Sequence, residues 1–498
     1  MNRRDLLKCL GIGATTLALA GCSQPGLSLF SRRKRPNFVF FLVDDLGWAD
    51  VGCYGSTFCE TPNTDRLAAS GVRFTDAYAA APVCSPTRAS IMTGRYPARL
   101  NITDWIPGDN PKNKRLLGPP DLDALPLEEV TVAEALKKSG YATYFVGKWH
   151  LGDEGHSPEN QGFDTNIGGT HLGQPANGYY VPYKNPKLPD GPPGEYLTDR
   201  LASETIRCIT DHVKNRPDQP FLAFHCFYTV HQPIQPCKKH LDRFRAKAAT
   251  LPKRNPDSIF RKEHEAITRI RQDNPAYASM VYSMDENLGR VLDTLKELGI
   301  DNETVVFFTS DNGGLSTQLR GQAPTSNLPL RAGKGWLYEG GIREPLIVRA
   351  PGLTRGGGVC STPVVSTDFF PTILDLAGLS LQPRLHRDGV SLKPLLRGES
   401  SLSRKAIFWH FPHYHSSGWT PGGAVRAGEW KLIEFYEPGT VELYNLRDDM
   451  GEQLNQAQTF PQIVEELRTL LHNWQREVGA KMPLPNPDYE PEIGRNIP

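Results

Sequence analysis

The chain has 498 residues, enough for one large domain or two. Lysine and arginine number 56 against 55 aspartates and glutamates, a formal net charge of +1, so no field for nucleic acid or another polyanion is implied. Apolar content is ordinary at 39%, the 46 Gly and 42 Pro suit a loop-rich enzyme, and no apolar run beyond the N-terminus is long enough for a transmembrane helix.

Residues 1–21 read as an export signal rather than structure. Asn2-Arg3-Arg4-Asp5-Leu6-Leu7-Lys8 resembles a twin-arginine signal, and Leu19-Ala20-Gly21-Cys22 resembles a bacterial lipobox. They predict an exported bacterial protein, periplasmic or lipid-anchored at the cell envelope through Cys22. Residues 22–36, rich in Arg, Pro, Gly and Ser, read as a flexible tether. Of the nine cysteines, Cys53 and Cys59 are close enough for a local bridge, which export would permit.

Asn37 to Val43 is a continuous apolar run, as expected of a strand buried on both faces, and it ends in Asp44-Asp45. Two adjacent carboxylates there are either solvated or metal-bound. Cys84 follows a small-residue loop, Pro86 suits a first helical turn and Gly94 a helix end. Cys84 thus sits at a helix N-terminus with Arg88 one turn on, which reads either as an activated thiol or as a packed core cysteine.

Thr131-Val132-Ala133-Glu134 is a capping box for a helix closed by Gly140. A strand over 142–146 leads into Gly147-Lys148-Trp149-His150. A helix over 196–214 precedes a strand over 221–227 and then His231. A helix over 277–298 precedes a strand over 305–309, which ends in Ser310-Asp311-Asn312. This alternation predicts an α/β fold with a mostly parallel sheet, whose ligands bind beyond the carboxyl ends of the strands. One cleft there can collect Asp44, Asp45, Lys148, His150, His231, Asp311 and Asn312. Short strands near 406–409, 423–426, 430–435 and 441–444, with a helix over 461–478, predict a smaller antiparallel sheet. The boundary falls near residue 400, giving units 37–400 and 401–498.

The carboxylates and Asn312 are hard oxygen donors suited to Ca²⁺, with Mg²⁺ as the alternative. Arg88, Lys148 and Lys334 supply positive charge, and His150 and His231 can move protons near neutral pH. The thirteen residues Val83 to Arg95, with Cys-x-Pro-x-Arg followed by Thr-Gly-Arg, resemble the signature of the type I sulfatases, and the resemblance covers nearly the whole chain after the signal. It implies an alkaline-phosphatase-like fold and a sulfuric ester hydrolase. It also implies that a formylglycine-generating enzyme oxidises Cys84 to formylglycine, whose hydrate attacks sulfur, after which collapse of the sulfated hemiacetal releases sulfate.

Position by position, the resemblance implies that Asp44, Asp45, Asp311, Asn312 and residue 84 face the cation. Arg88 steadies the hydrate, Lys148 and Lys334 bind sulfate, His150 serves hemiacetal breakdown and His231 stands near the leaving oxygen. Val230-His231-Gln232-Pro233 departs slightly from the family's usual surroundings there. The aromatic and histidine cluster Trp409 to His415 suggests substrate contacts at His410, His413 and His415, closing over the cleft. Asp104 and Trp105 form a second candidate rim. The expected substrate is a sulfated polysaccharide or oligosaccharide of galactose or N-acetylgalactosamine type, or an aryl sulfate. The rival readings are a phosphonate monoester or phosphodiester hydrolase and a catalytically dead glycan-binding lipoprotein.

Overall fold

Seven consecutive residues, Asn37–Val43, form the central strand, and all seven are buried. Its side chains alternate between two cores: Val39, Phe41 and Val43 enter one, and Phe38, Phe40 and Leu42 enter the other. Parallel partners flank it, Phe221–Cys226 on one side and Thr304–Ser310 on the other. Phe40 stacks on Phe224 at 4.6 Å and on Phe307 at 5.4 Å, a same-face ladder worth more than burial alone. The computed structural model describes residues 35–491 except residue 110, so the expected signal, Cys22 and the tether up to residue 34 lie outside the described residues.

Among the described residues the large sheet has nine strands. Across it run Gly358–Cys360, Val72–Tyr78, Arg343–Arg349, Thr304–Ser310, Asn37–Val43, Phe221–Cys226, Ala142–Gly147 and Thr165–Ile167, with Val364–Val365 also beside Val72–Tyr78. Arg343–Arg349 is antiparallel to both its neighbours, and the other pairings are parallel. That one reversal matters for the site. Arg343–Arg349 begins at the edge where its neighbours end, so the loop before it, carrying Lys334, reaches the carboxyl edge of the sheet.

The expected helices form at Val132–Lys137, Leu197–Asn215 and Pro275–Glu297. Thr131 closes its capping box with Glu134. The strand Val72–Tyr78 and the helices Pro62–Ser70 and Lys238–Ala249 are additions that the sequence pattern did not single out. The smaller sheet is an antiparallel meander of Ile407–Phe411, Gly422–Ala427, Trp430–Phe435 and Thr440–Asn445, accompanied by the helix Pro461–Val478. It shares a core with the large sheet's edge. Trp409 Nε1 donates to Ala79 O at 2.8 Å, and Trp336 meets Trp419 edge-on at 5.7 Å. Arg35 onward clusters as one compact unit. The seven described cysteines are all free, so Cys53 and Cys59 form no local bridge. No helix among the described residues is long and apolar enough to cross a membrane.

Candidate active site

The carboxyl ends of four parallel strands deliver the polar groups. Asp44 and Asp45 follow Val43, Lys148 follows Gly147, His231 lies just past Cys226, and Asp311 and Asn312 follow Ser310. Gly147 has φ +104, and a Cβ there would lie 1.8 Å from Cys226 O, so only glycine lets the strand turn into Lys148. Asp45 and His150 adopt left-handed backbone at φ 59° and 58°. Such strain costs roughly 1–3 kcal/mol per residue and collects at functional sites.

Lys148 Nζ sits 2.9 and 2.8 Å from the two oxygens of Asp44, and both residues are fully buried. Lys334 Nζ donates to Asp45 at 2.8 Å, Asn312 Nδ2 donates to Asp45 Oδ1 at 2.7 Å, and His231 Nε2 lies 3.7 Å from Asp45 Oδ2. Arg88 binds Asp311 Oδ2 through Nε at 2.8 Å and reaches Lys148 O at 2.7 Å. Ser310, which the sequence reading left out, takes a hydrogen bond from Leu46 N at 3.0 Å and donates to Asn312 O at 3.0 Å.

Cys84 starts the helix Cys84–Thr93, and Gly94 ends it in the left-handed conformation. Cys84 Sγ lies 3.2 Å from His150 Nδ1, while His150 Nε2 lies 2.6 Å from Ile106 O. A carbonyl only accepts, so Nε2 carries the proton and Nδ1 presents a lone pair to residue 84. Burial, then the Lys148 charge, pushes His150 well below the usual imidazole range, which keeps it neutral. Ile106 contributes through its backbone oxygen, which no side-chain pattern could reveal.

The donor set suits a cation. Asn312 Oδ1 is buried with no hydrogen-bond partner among the described residues, an acceptor waiting for a positive charge. Asp44, Asp45 and His231 bring ligand atoms within 4.8 Å of one another. Burial pushes the Asp44 carboxyl well up, and Asp311 and Asp45 add to it against the pull of Lys148. Burial would raise Asp45 too, but Lys334 and His231 hold it below the usual carboxylate range. Burial also drives His231 well down, with Lys334 adding to it.

The histidine cluster separates. His415 joins the site's wall: it bonds Ser417 Oγ at 2.7 Å, and Ser417 Oγ donates to Lys334 O at 3.1 Å. A Cβ on Gly335 would lie 2.1 Å from His415 Nδ1, so that glycine permits the close approach. His410 is instead taken up by Tyr436 and Lys481 O, each at 2.9 Å, and His413 by Thr103 Oγ1 at 2.8 Å. Both are buried, and neither contacts the aspartate cluster. Of the three histidines expected to face substrate, His410 has both ring nitrogens engaged by protein groups, while His413 uses only Nε2 and lines a separate open cleft. The Asp104 carboxylate folds back on the amides of Trp105 at 2.8 Å and Asp109 at 3.1 Å, shaping the loop that presents Ile106 O, while Trp105 stays half-buried.

Burial depresses His410 and His413 to about 4. An unfolded histidine titrates near about 6.5. Between those values the unfolded chain takes up protons that the folded one refuses, so stability is complete above pH ~6.5 and falls as pH drops toward ~4. Each histidine should withdraw about 2 kcal/mol by pH 5. Denaturant unfolding at pH 7 and pH 5 checks this, and His410→Gln should lessen the loss.

With this geometry in view, the comparisons with known proteins agree. A family model described as "Sulfatase" matches residues 36–379, and one described as "N-sulphoglucosamine sulphohydrolase, C-terminal" matches residues 332–477. A sulfatase of Formosa agariphila is 31% identical, over 85% of this chain and 84% of its own. N-acetylgalactosamine-6-sulfatase of Rattus norvegicus is 30% identical, over 95% of this chain and 86% of its own. The crystal structure of Ps i-CgsB in complex with k-i-k-neocarrahexaose superposes with a TM-score of 0.71 at 27% identity, covering 88% of this chain and 92% of that one. The fold is alkaline-phosphatase-like, and the chain belongs to the sulfatase family, a sulfuric ester hydrolase.

Proposed function

We propose that the protein hydrolyses sulfate monoesters on a sulfated oligosaccharide or polysaccharide, with residue 84 as formylglycine and a divalent cation held by Asp44, Asp45, Asp311 and Asn312. The carrying observation is the pairing of His150 Nδ1 with Cys84 Sγ at 3.2 Å beside a buried, partnerless Asn312 Oδ1. The hydrated aldehyde would supply the nucleophilic oxygen, and Ca²⁺ or Mg²⁺ would offset negative charge at the sulfate.

The chain's own groups divide the remaining work. Arg88, fixed by Asp311 and Lys148 O, keeps a permanent positive charge beside residue 84. Lys148 and Lys334 hold ammonium groups where non-bridging sulfate oxygens gather charge. Lys334 stays protonated, since the Asp45 carboxylate more than offsets the effect of burial. His150 Nδ1 takes a proton from residue 84 because its Nε2–H is committed to Ile106 O. His231 has Nδ1 engaged with Gln232 O at 2.8 Å, which leaves Nε2, 3.7 Å from Asp45 Oδ2, as the nitrogen that would meet the leaving oxygen.

The similarity to the rat N-acetylgalactosamine-6-sulfatase and to the Ps i-CgsB structure in complex with k-i-k-neocarrahexaose supports a sugar substrate. Arg3-Arg4 and Leu19 to Cys22 support export and a lipid anchor. The test is sulfate release from defined sulfated oligosaccharides alongside phosphate and phosphonate esters. Sulfate esters should be turned over preferentially, chelation should stop turnover and Ca²⁺ should restore it. Calcium at about 100 times its Kd should also stabilise the chelated protein by about 2.7 kcal/mol, and Asn312→Ala should blunt that gain. Preference for a phosphate ester would reverse the reading.

A further inference from the structure

Beside the site lies an open cleft of about 730 Å³ to which no role has been given. It is fastened to the catalytic histidine from two sides. Ile106, whose carbonyl faces His150 Nε2, lines it, and so does His171, which follows the Thr170 carbonyl bonded by His150 N at 3.1 Å. Its outer wall is tied in as well: Leu125 N donates to Leu151 O at 3.0 Å. Leu122 and Leu127 lie on this wall, 40% and 50% exposed, which is unusual for leucines on one short segment.

The polar lining pairs three carboxylates with two imidazoles, His156 and His171. Asp123, Glu128 and Asp153 are exposed, and among the described residues no hydrogen bond or ion pair engages their carboxylates and no Lys or Arg lines the cleft. The reacting centre, with Arg88, Lys148 and Lys334, is the opposite. A sulfated or carboxylated sugar placed in the cleft would meet three carboxylates with no described Lys or Arg to offset them. An uncharged pyranose fits both features: its C–H face covers the leucines, and its hydroxyls donate to the carboxylates.

We infer that this cleft is a subsite for an uncharged sugar unit joined to the sulfated one, so that the enzyme selects esters whose neighbouring unit carries no charge. The inference rests on the sulfatase reading above and deepens it. The experiment compares sulfate release from three substrates: a sulfated monosaccharide, an oligosaccharide with a neutral neighbouring unit, and the same oligosaccharide with that unit sulfated. The neutral-neighbour oligosaccharide should have the highest kcat/KM, with the sulfated neighbour lowering it by about 10-fold.

Asp123→Lys and Glu128→Lys, both on the exposed rim, should narrow or invert that ratio while leaving the monosaccharide ester unchanged. As a readout free of catalysis, the neutral oligosaccharide should bind the Cys84→Ala protein in calorimetry, and Leu127→Asp should weaken that binding. Equal turnover of the two oligosaccharides, or a ratio unmoved by the lysine variants, would overturn the subsite. Failure to release sulfate even from the monosaccharide would instead strike the sulfatase reading beneath it.

Discussion

Cys84→Ala should leave a folded protein with no measurable turnover. Removing a covalent nucleophile costs about 10⁶-fold in kcat where the residues act as a unit. The substitution removes one sulfur at a helix start that is buried and already close to alanine in size, so unfolding should shift little. Active wild-type protein should show an aldehyde in place of the thiol by mass spectrometry of the peptide spanning residue 84. The reason is chemical: a thiolate that attacked a sulfate ester would keep a sulfur-linked product, whereas an aldehyde hydrate regenerates its carbonyl as sulfate leaves. His150 Nδ1 stands 3.2 Å from the atom that must lose the proton for that step. His150→Ala should therefore permit the first release of alcohol and stall sulfate release, a burst without turnover. Full multiple turnover by protein bearing only unmodified Cys84 would sink the mechanism.

Much of this site was legible because its residues announce themselves twice, once by chemistry and once by position. Asp44-Asp45 and Asp311-Asn312 combine hard oxygen donors with the ends of unbroken apolar strands, and those strands pair side by side with Val43 opposite Ser310. Cys84 and Arg88 are one turn apart on a helix with a legible start and end. Lys334 was harder, because its placement depends on Arg343–Arg349 running against the rest of the sheet, and strand direction leaves no mark in a short apolar run. Val72–Tyr78 was passed over because Arg73 and Thr75 interrupt its apolar residues.

The histidine cluster shows the opposite limit. Its composition suited a sugar, yet composition does not say which face a ring presents. His410 and His413 sit in strand-and-loop positions where Tyr436 and Lys481 take up both nitrogens of His410 and Thr103 takes up Nε2 of His413. Only His415, two residues before Ser417, comes to the Lys334 loop. The partners that fix His150 are a carbonyl and a loop conformation, and neither is encoded by a residue type.

The largest stability effect should come from a lysine far from the chemistry. Lys431 is fully buried between Glu339, at 2.9 Å, and Glu452, at 2.8 Å, both also fully buried. Glu339 continues the network into the large sheet's edge through Tyr78 at 2.7 Å and Arg343 at 3.1 Å. Glu452 in turn accepts from Glu339 N at 2.6 Å, where the short helix Glu339–Ile342 begins. One ammonium thus joins the C-terminal meander to the segment that carries Lys334. Lys431→Met keeps the length and removes the charge, leaving two carboxylates in a dry interior. Breaking such a pair from one side costs about 3–5 kcal/mol.

The pH dependence separates this cause from lost packing. Burial, opposed by Lys431 and reinforced by Glu339, pushes Glu452 up to about 7 in the folded protein. A group raised in this way contributes stability below its unfolded value, near about 4.3, and loses it as pH climbs through the folded value. Removing Lys431 raises Glu452 further, so the variant should lose more stability at pH 8 than at pH 5.5. Lys431→Met/Glu452→Gln should recover part of the loss at pH 8, because the second change removes the stranded charge. Denaturant unfolding of the wild type and both variants at the two pH values measures all of this. A loss independent of pH, unrelieved by Glu452→Gln, would assign the effect of Lys431 to packing alone.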